Sequence, residues 1–253
     1  MDTPQPPRTG TRTGTRTDTR TDTRAVTITT GDATLAGELG IRPDARGIVV
    51  FAHGSGSSRH SPRNRFVAGA LREAGLATLL MDLLTTAEET EDMRTGALRF
   101  DIGLLARRLI GATDWLAQQP ETHALPIGYF GASTGAGAAL VAAAERPETI
   151  RAVVSRGGRP DLAGLMLAQV RAPTLLIVGG NDPHVIAMNR DAMRQMHAQT
   201  QLEIVPDATH LFEEPGALEQ VAILARGWFT QHLAGAHPPS EDIRALDADS
   251  PRG

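Results

Sequence analysis

The sequence predicts an α/β protein with one doubly wound, mostly parallel sheet of eight strands flanked by helices. Three observations predict it. Short apolar runs alternate with helical patterns along residues 25–236. A chain of 253 residues can form a single α/β unit, and a hydrophobic content of 41% suffices for a sizeable core. Glycine-rich or polar turns follow several apolar runs, at the strand ends where such a sheet places its binding crevice.

Eight short apolar runs predict the strands because turn residues bound each of them. The first two flank Gly31 and Asp32, which predicts a hairpin, and the later alternation requires right-handed crossovers. The predicted strands are Ala25–Thr29, Thr34–Leu39, Gly47–Ala52, Ala77–Met81, Pro126–Phe130, Ile150–Val154, Pro173–Val178 and Gln201–Val205.

Six segments between these strands have helical patterns. The predicted helices are Pro62–Ala74, Phe100–Gln118, Ala136–Ala144, Pro160–Leu167, Val185–His197 and Pro215–Leu233.

Both ends of the chain are predicted to lie outside this domain. The predicted arm is residues 1–24, in which residues 9–24 repeat a Thr-Arg-Thr-Gly/Asp tetrapeptide, with arginine at positions 8, 12, 16, 20 and 24 and no apolar residue between them. Such a segment cannot bury enough surface to offset its ordering entropy, so we expect a disordered arm. It lacks the apolar region of a secretory signal. Residues 237–253 are rich in Pro, Asp and Ser, which predicts a mobile tail.

The segment Gly131–Gly135, of sequence G-A-S-T-G, lies between a predicted strand and a predicted helix of small residues. In this context G-x-S-x-G forms a nucleophile elbow, a sharp turn that lifts the serine hydroxyl clear of the sheet edge. Small residues on either side allow the strained turn. Ser133 is therefore the candidate nucleophile, and the alternative is that it only caps a helix.

A carboxylate and an imidazole follow two later strands. Asp182 lies in the turn after Pro173–Val178, and His210 lies just beyond Gln201–Val205. A serine, then an acid, then a histidine is the chain order of an α/β-hydrolase triad. Asp207 is a less favoured alternative acid, because it precedes His210 by only three residues.

The loop that begins with His53 and Gly54 follows another apolar strand. Such a loop supplies one N–H group of an oxyanion hole, and the residue after the nucleophile supplies the other. We therefore assign Ser55 and Thr134 as the donors. His53 is expected to be structural and to line the substrate site with Gly54.

Residue types that are absent from the sequence narrow the chemistry. There is no cysteine and no lysine, and all 25 basic residues are arginine. This excludes a thiol nucleophile, disulfides, Ser-Lys dyads and Schiff bases. No spacing of His, Asp and Glu suggests a metal site, and we expect no cofactor. A net charge of −4 gives no sign of nucleic-acid binding, and no apolar run is long enough to span a membrane. A cytoplasmic location is expected.

Two arginine clusters are predicted near the catalytic rim, where a guanidinium can bind a carboxylate or phosphate. The first lies in residues 57–65, after the oxyanion residues, and contains Arg59, Arg63 and Arg65; the second consists of Arg156 and Arg159, beyond the sixth strand. Arg59, Arg156 and Arg159 are the named substrate-binding candidates. The alternative is that they form surface ion pairs, for example with Asp161 or with the acidic run at 88–92.

The core from about residue 25 to 235 resembles the α/β-hydrolase superfamily and, within it, the dienelactone hydrolase-like group. The resemblance rests on Ser133 in its motif, on Asp182, on His210 and on the His53-Gly54 loop. In dienelactone hydrolase the nucleophile is a cysteine, so the specific substrate of that enzyme is not implied. The segments 51–65 and 155–160 resemble a bacterial subgroup sometimes joined to phosphoribosyltransferase domains. Too few residues separate Val154 from Pro173 for a large lid, so the site is expected to be shallow and open.

The sequence therefore predicts a serine hydrolase that cleaves small carboxylic esters through an acyl-enzyme, with a possible preference for anionic substrates. Two alternatives remain open. A thioesterase or small amidase would use the same triad, and a non-catalytic module for an anionic ligand would use none of it. The sequence does not predict the oligomeric state.

Overall fold

The computed structural model describes residues 21–31 and 33–233. Most of the predicted arm, Asp32 of the predicted hairpin and the predicted C-terminal tail lie outside these described residues.

The eight predicted strands form one sheet, in the order β1-β2-β4-β3-β5-β6-β7-β8. Strand β2 runs antiparallel to both of its neighbours, β1 and β4. All the strands from β4 to β8 in the sheet order are parallel to one another. This confirms the α/β-hydrolase fold. The strands are β1 Asp22–Thr30, β2 Ala33–Ile41, β3 Ile48–Ala52, β4 Ala77–Met81, β5 Ile127–Ala132, β6 Ile150–Arg156, β7 Thr174–Gly179 and β8 Thr200–Val205.

Strand β1 begins three residues before its predicted start and takes up the last residues of the predicted arm. It pairs with β2 along its full length, and Gly31 between them has a φ of +61°, which glycine adopts without strain. The side chain of Arg24 forms an ion pair with Glu121. The sheet therefore includes part of a segment that has no apolar residue to predict it.

Six α-helices lie in the described part of the chain: α1 Pro62–Glu73, α2 Thr86–Thr95, α3 Ile102–Leu116, α4 Thr134–Glu145, α5 Pro183–Gln195 and α6 Ala217–Leu233. Leu98–Phe100 and Pro160–Gln169 form 3₁₀ segments. The predicted helix at Pro160–Leu167 is present as 3₁₀ turns, and it is not continuous because Gly164 interrupts it with φ +51° and ψ −131°.

Helix α2 was not predicted. Its only buried residue is Asp92, so it has no apolar stripe to reveal it. Local polar contacts hold it instead. Thr85 and Glu88 form a reciprocal capping box, and Glu88 also accepts a 2.6 Å hydrogen bond from Arg108 of α3. The carboxylate of Asp92 binds Arg99 at 2.6 Å.

The two faces of the sheet carry separate cores. Helices α3 and α4 cover one face, and α1 and α6 cover the other. Helix α4 is buried along nearly its whole length, because its alanines and glycines let it lie close to the sheet. No helix in the described residues is long and apolar enough to cross a membrane.

Candidate active site

Ser133 occupies a strained turn between β5 and α4, with φ +50° and ψ −121°. The motif glycines permit this turn. A Cβ on Gly131 would lie 2.4 Å from the Cα of Ala136, and a Cβ on Gly135 would lie 2.3 Å from the carbonyl oxygen of Ala52. Side chains at these two positions would collide with backbone, so the turn requires the glycines on both sides of Ser133.

The backbone of Ser133 is held by the end of β6 and the loop after it. Its N–H donates to the carbonyl of Arg156 at 3.2 Å, and its carbonyl accepts from the N–H of Arg159 at 3.0 Å. With both backbone groups paired, the strained conformation is held by its surroundings.

The structure brings Asp182 and His210 together. The Nδ1 atom of His210 lies 2.9 Å from Oδ2 of Asp182, and the aspartate side chain is the less exposed of the two, at 17% against 38%. The other oxygen, Oδ1, accepts a 3.4 Å hydrogen bond from the N–H of Val185 at the start of α5. Asp182 therefore caps a helix and orients an imidazole at the same time.

The loops that carry these two residues touch directly. A Cβ on Gly179 would lie 2.4 Å from the carbonyl oxygen of Ala208, so only glycine allows this approach. Asn181 then bonds across through its N–H to Ala208 and through its side chain to the carbonyl of Asp207, each at 2.9 Å. Asp207 is exposed at a turn position with φ +58°. The contact with His210 is made by Asp182.

Ser133 and His210 line one open cavity of about 590 Å³ together with Asp182, Ser55 and Thr134. Residues at its rim include Phe100, Arg159, His184 and Met188.

The proposed oxyanion donors are neighbours, but one of them is already engaged. The N–H of Ser55 donates to the side-chain hydroxyl of Thr134 at 2.9 Å. Gly54 also lies against the nucleophile, since a Cβ there would be 3.1 Å from the Cβ of Ser133.

His53 holds the oxyanion loop against the end of β4. Its Nε2 accepts from the N–H of Leu83 at 3.2 Å, so the proton of the neutral ring is on Nδ1, which donates to the carbonyl of Gly54 at 3.0 Å. Burial lowers the pKa of His53 and favours this neutral form. The residue thus fixes the loop rather than transferring protons.

Two of the three predicted rim arginines form ion pairs. Arg59 binds Asp82 through its side chain and, at 2.8 Å, through its backbone N–H. Arg159 binds Asp161 with two hydrogen bonds of 2.7 and 2.8 Å. The expectation that these guanidiniums are free to bind a substrate anion is not supported, because each already has a carboxylate partner.

Arg156 is different. It is 7% exposed, and its guanidinium has no carboxylate partner among the described residues. Its central carbon lies 5.8 Å from the ring centre of Phe212, within the range of a cation–π contact. Burial, and then the charge of Arg63, lower the pKa of Arg156 to about 10, so it stays protonated at neutral pH.

Arg156 lines a cavity of about 220 Å³, the arginine cavity, that Ser133 and His210 also line. Arg63 and Asn64, which belong to the cluster at 57–65 predicted on the catalytic rim, lie in the same wall, although only Arg59 of that cluster was named as a substrate-binding candidate. Arg63 donates to Glu213 at 3.0 Å, but its Nε and that of Arg156 have no hydrogen-bond partner, and neither does Oδ1 of Asn64. Both residues lie in the first turn of helix α1, directly after the oxyanion loop, and this position along the chain could have indicated their place in the site.

No group of acidic, His or Cys side chains in the described residues is arranged to hold a metal ion.

Comparison with known proteins identifies the family of the chain. The model of the dienelactone hydrolase family matches residues 33–229. A crystal structure of a dienelactone hydrolase from Anabaena variabilis is 64% identical, covers 84% of this chain and 99% of its own, and superposes with a TM-score of 0.83. A carboxyl esterase from the fungus Tuber melanosporum, at 17% identity and a TM-score of 0.66, shares the fold over 87% of this chain and 90% of its own.

Two Mycobacterium tuberculosis proteins that carry the name "Putative phosphoribosyl transferase" are 62% identical over 84% of this chain. The chain spans 47% of their length. The family model covers most of the sheet and every residue of the Ser133 cavity described above. The chain belongs to the dienelactone hydrolase family.

Proposed function

We propose that this chain is a serine hydrolase that cleaves carboxylic esters through a Ser133–His210–Asp182 triad and an acyl-enzyme. The observation that carries the proposal is the 2.9 Å contact between Asp182 and His210. Both residues line the same cavity as Ser133, which lies at the strained turn. A serine hydroxyl is a weak nucleophile without a base, and the chain supplies that base.

The tautomer of His210 sets the direction of proton transfer. Nδ1–H donates to Asp182, which leaves Nε2 as the acceptor for the hydroxyl proton of Ser133 while Oγ attacks the acyl carbon. The imidazolium then passes this proton to the leaving alcohol. Water repeats the cycle on the acyl-enzyme, with His210 as the base again, and releases the acid.

The oxyanion would accept hydrogen bonds from the backbone N–H groups of Thr134 and Ser55. Because the second group now donates to the Thr134 hydroxyl, the oxyanion has to displace that hydroxyl. A neutral hydrogen bond is then exchanged for a stronger one to a negative oxygen. This exchange favours the tetrahedral intermediate over the ground-state carbonyl, which is the difference that lowers a barrier.

The preference for an anionic ester rests on Arg156. A buried guanidinium with no carboxylate partner among the described residues is costly, and an incoming carboxylate would satisfy it beside the nucleophile. Arg63 adds positive charge to the same wall. The name of the two Mycobacterium tuberculosis relatives belongs to proteins of about twice this length and is not carried over to this chain.

A fluorophosphonate probe and short nitrophenyl esters test the proposal. Wild-type protein should be labelled and should turn over an ester, whereas Ser133→Ala should do neither while keeping its circular dichroism spectrum. Ser58→Ala is the matched control, a serine on the oxyanion loop that lines neither cavity with Ser133. Wild-type turnover by Ser133→Ala would exclude the triad, and absence of labelling and turnover in the wild type would favour a binding module.

A further inference from the structure

A third cavity, of about 300 Å³, lies between the oxyanion loop and helix α2. This volume is at the lower end of the range for small-molecule sites. Its apolar wall consists of Leu83, Leu84, Met93 and Leu105, and the oxyanion residues Ser55 and Thr134 close its other side. Neither the triad nor the arginine cavity uses these four apolar side chains.

The charge of this cavity is opposite to that of the arginine cavity. Its polar wall contains three carboxylates and the guanidinium of Arg99, which pairs with Asp92, while Asp82 pairs with Arg59 from outside the wall. Glu89 is exposed on α2 and has no ion pair among the described residues. An anionic group would therefore be repelled here, whereas Arg156 attracts one in the arginine cavity.

The two cavities meet at the reacting position. Gly54, Ser55 and Ser57 line both of them, Ser133 lines the arginine cavity and Thr134 lines the cavity beside α2. An ester whose carbonyl oxygen lies between the N–H groups of Ser55 and Thr134 would extend one arm into each. The site would then have two subsites, a positively charged one in the arginine cavity and an apolar one beside α2.

We propose that the cavity beside α2 binds the uncharged, apolar arm of the ester. The substrate is then an ester with one anionic group on one side of the scissile carbonyl and an apolar group on the other, such as a monoester of a dicarboxylic acid. This inference rests on the proposed serine hydrolase function. It adds a second specificity site and gives helix α2 the role of its outer wall.

Helix α2 can act as a fixed wall because polar contacts anchor both its ends. The capping box and the Glu88–Arg108 pair hold its start, and the Asp92–Arg99 pair holds its last turn. Met93 lies on this helix and is 71% exposed, so a larger side chain can be accommodated there without disturbing a core.

Filling the cavity tests the proposal. Monomethyl, monobutyl and monobenzyl succinate would be compared in the wild type, in Leu84→Trp and in Met93→Trp. We expect kcat/KM for the benzyl ester to fall at least about ten-fold in a filled variant, and kcat/KM for the methyl ester to fall less than about two-fold. Ile223→Trp, at an exposed position of helix α6, is the matched control and should leave both unchanged.

Esters with the arms exchanged, in which the acyl chain is apolar and the alcohol part carries the carboxylate, complete the test. A size-dependent loss in either series supports the proposal and tells which arm enters the cavity. Equal losses for small and large arms, or none in either series, would overturn it. Fluorophosphonate labelling of Ser133 in every variant separates this failure from failure of the triad.

The charge of the cavity provides a second readout. The wild type should reject an ester whose apolar arm ends in a second carboxylate. Glu89→Gln should raise kcat/KM for that dianionic ester, relative to kcat/KM for the singly charged ester, by about two- to five-fold, as expected for an exposed charge. An unchanged ratio in Glu89→Gln would show that the arm does not enter this cavity.

Discussion

Replacing Arg156 with methionine should weaken function and strengthen the fold. Burial and the nearby charge of Arg63 lower the pKa of Arg156 from its ordinary value to about 10. At about 1.4 kcal/mol per pKa unit, the charged form costs about 3 kcal/mol in the folded protein. Because the folded pKa is the lower one, this cost is fully present at any pH below about 10.

Methionine fills a similar space and carries no charge, but it loses the cation–π contact with Phe212, which is worth about 0.5–2 kcal/mol. We therefore expect Arg156→Met to be more stable by about 1–2 kcal/mol, or about 2–8 °C in Tm for a domain of this size. The same variant should lose about 10- to 150-fold in kcat/KM for an anionic ester and little for its neutral analogue, since a charge-assisted contact is worth about 1.5–3 kcal/mol.

The assay combines calorimetry with kinetics on paired esters, one with a free carboxylate and one with that group methylated. Succinate should raise the Tm of the wild type but not that of Arg156→Met, because a ligand stabilises only the state that binds it. Arg159→Met is the matched control, an arginine already paired with Asp161, and should change the charge preference little. A lower Tm together with an unchanged preference in Arg156→Met would refute the reasoning, since Arg156 would then be a structural residue.

Three further predictions concern the acid, the oxyanion loop and the elbow. Asp182→Asn should lose about 10⁴-fold in kcat because the amide cannot hold the imidazole in the same tautomer, whereas Asp207→Asn should stay close to wild type in the same ester assay, and the reverse result would reassign the acid. His53 is neutral when folded and its pKa is lowered, so its contribution to stability is present above its usual pKa of 6.5 and is lost as the pH falls below it. Urea unfolding between pH 5 and 8 should show a loss toward acid that is smaller in His53→Asn, and equal slopes in the two proteins would contradict this. Gly135→Ala should cost about 1–3 kcal/mol in urea unfolding and abolish labelling, because its Cβ meets backbone 2.3 Å away. Gly227→Ala, where nothing lies within 4 Å, should be neutral or stabilising, and similar losses in both would mean that the elbow tolerates a side chain.

Much of the fold was predictable because its signals are local. Short apolar runs between polar or turn residues predicted all eight strands within a few residues, and the glycines on both sides of Ser133 predicted the sharp strand-to-helix turn. Helix α2 was missed for an equally physical reason. Its stability comes from caps and from ion pairs to Arg99 and Arg108, and such polar contacts leave no apolar periodicity in the sequence.

The sequence by itself determined the class of fold and the order of the candidate catalytic residues, because both depend on neighbours along the chain. Only the tertiary structure decided which of the three candidate rim arginines has no carboxylate partner among the described residues. Arg59 and Arg156 look alike in sequence, yet one meets Asp82 across 23 positions and the other lies beside Phe212 and Arg63. The cavity beside α2 also depends on the tertiary structure, because its walls come from the oxyanion loop, the end of β4 and helix α2. Charge pairing and cavity shape depend on distances between segments far apart in the chain, and the fold alone sets those distances.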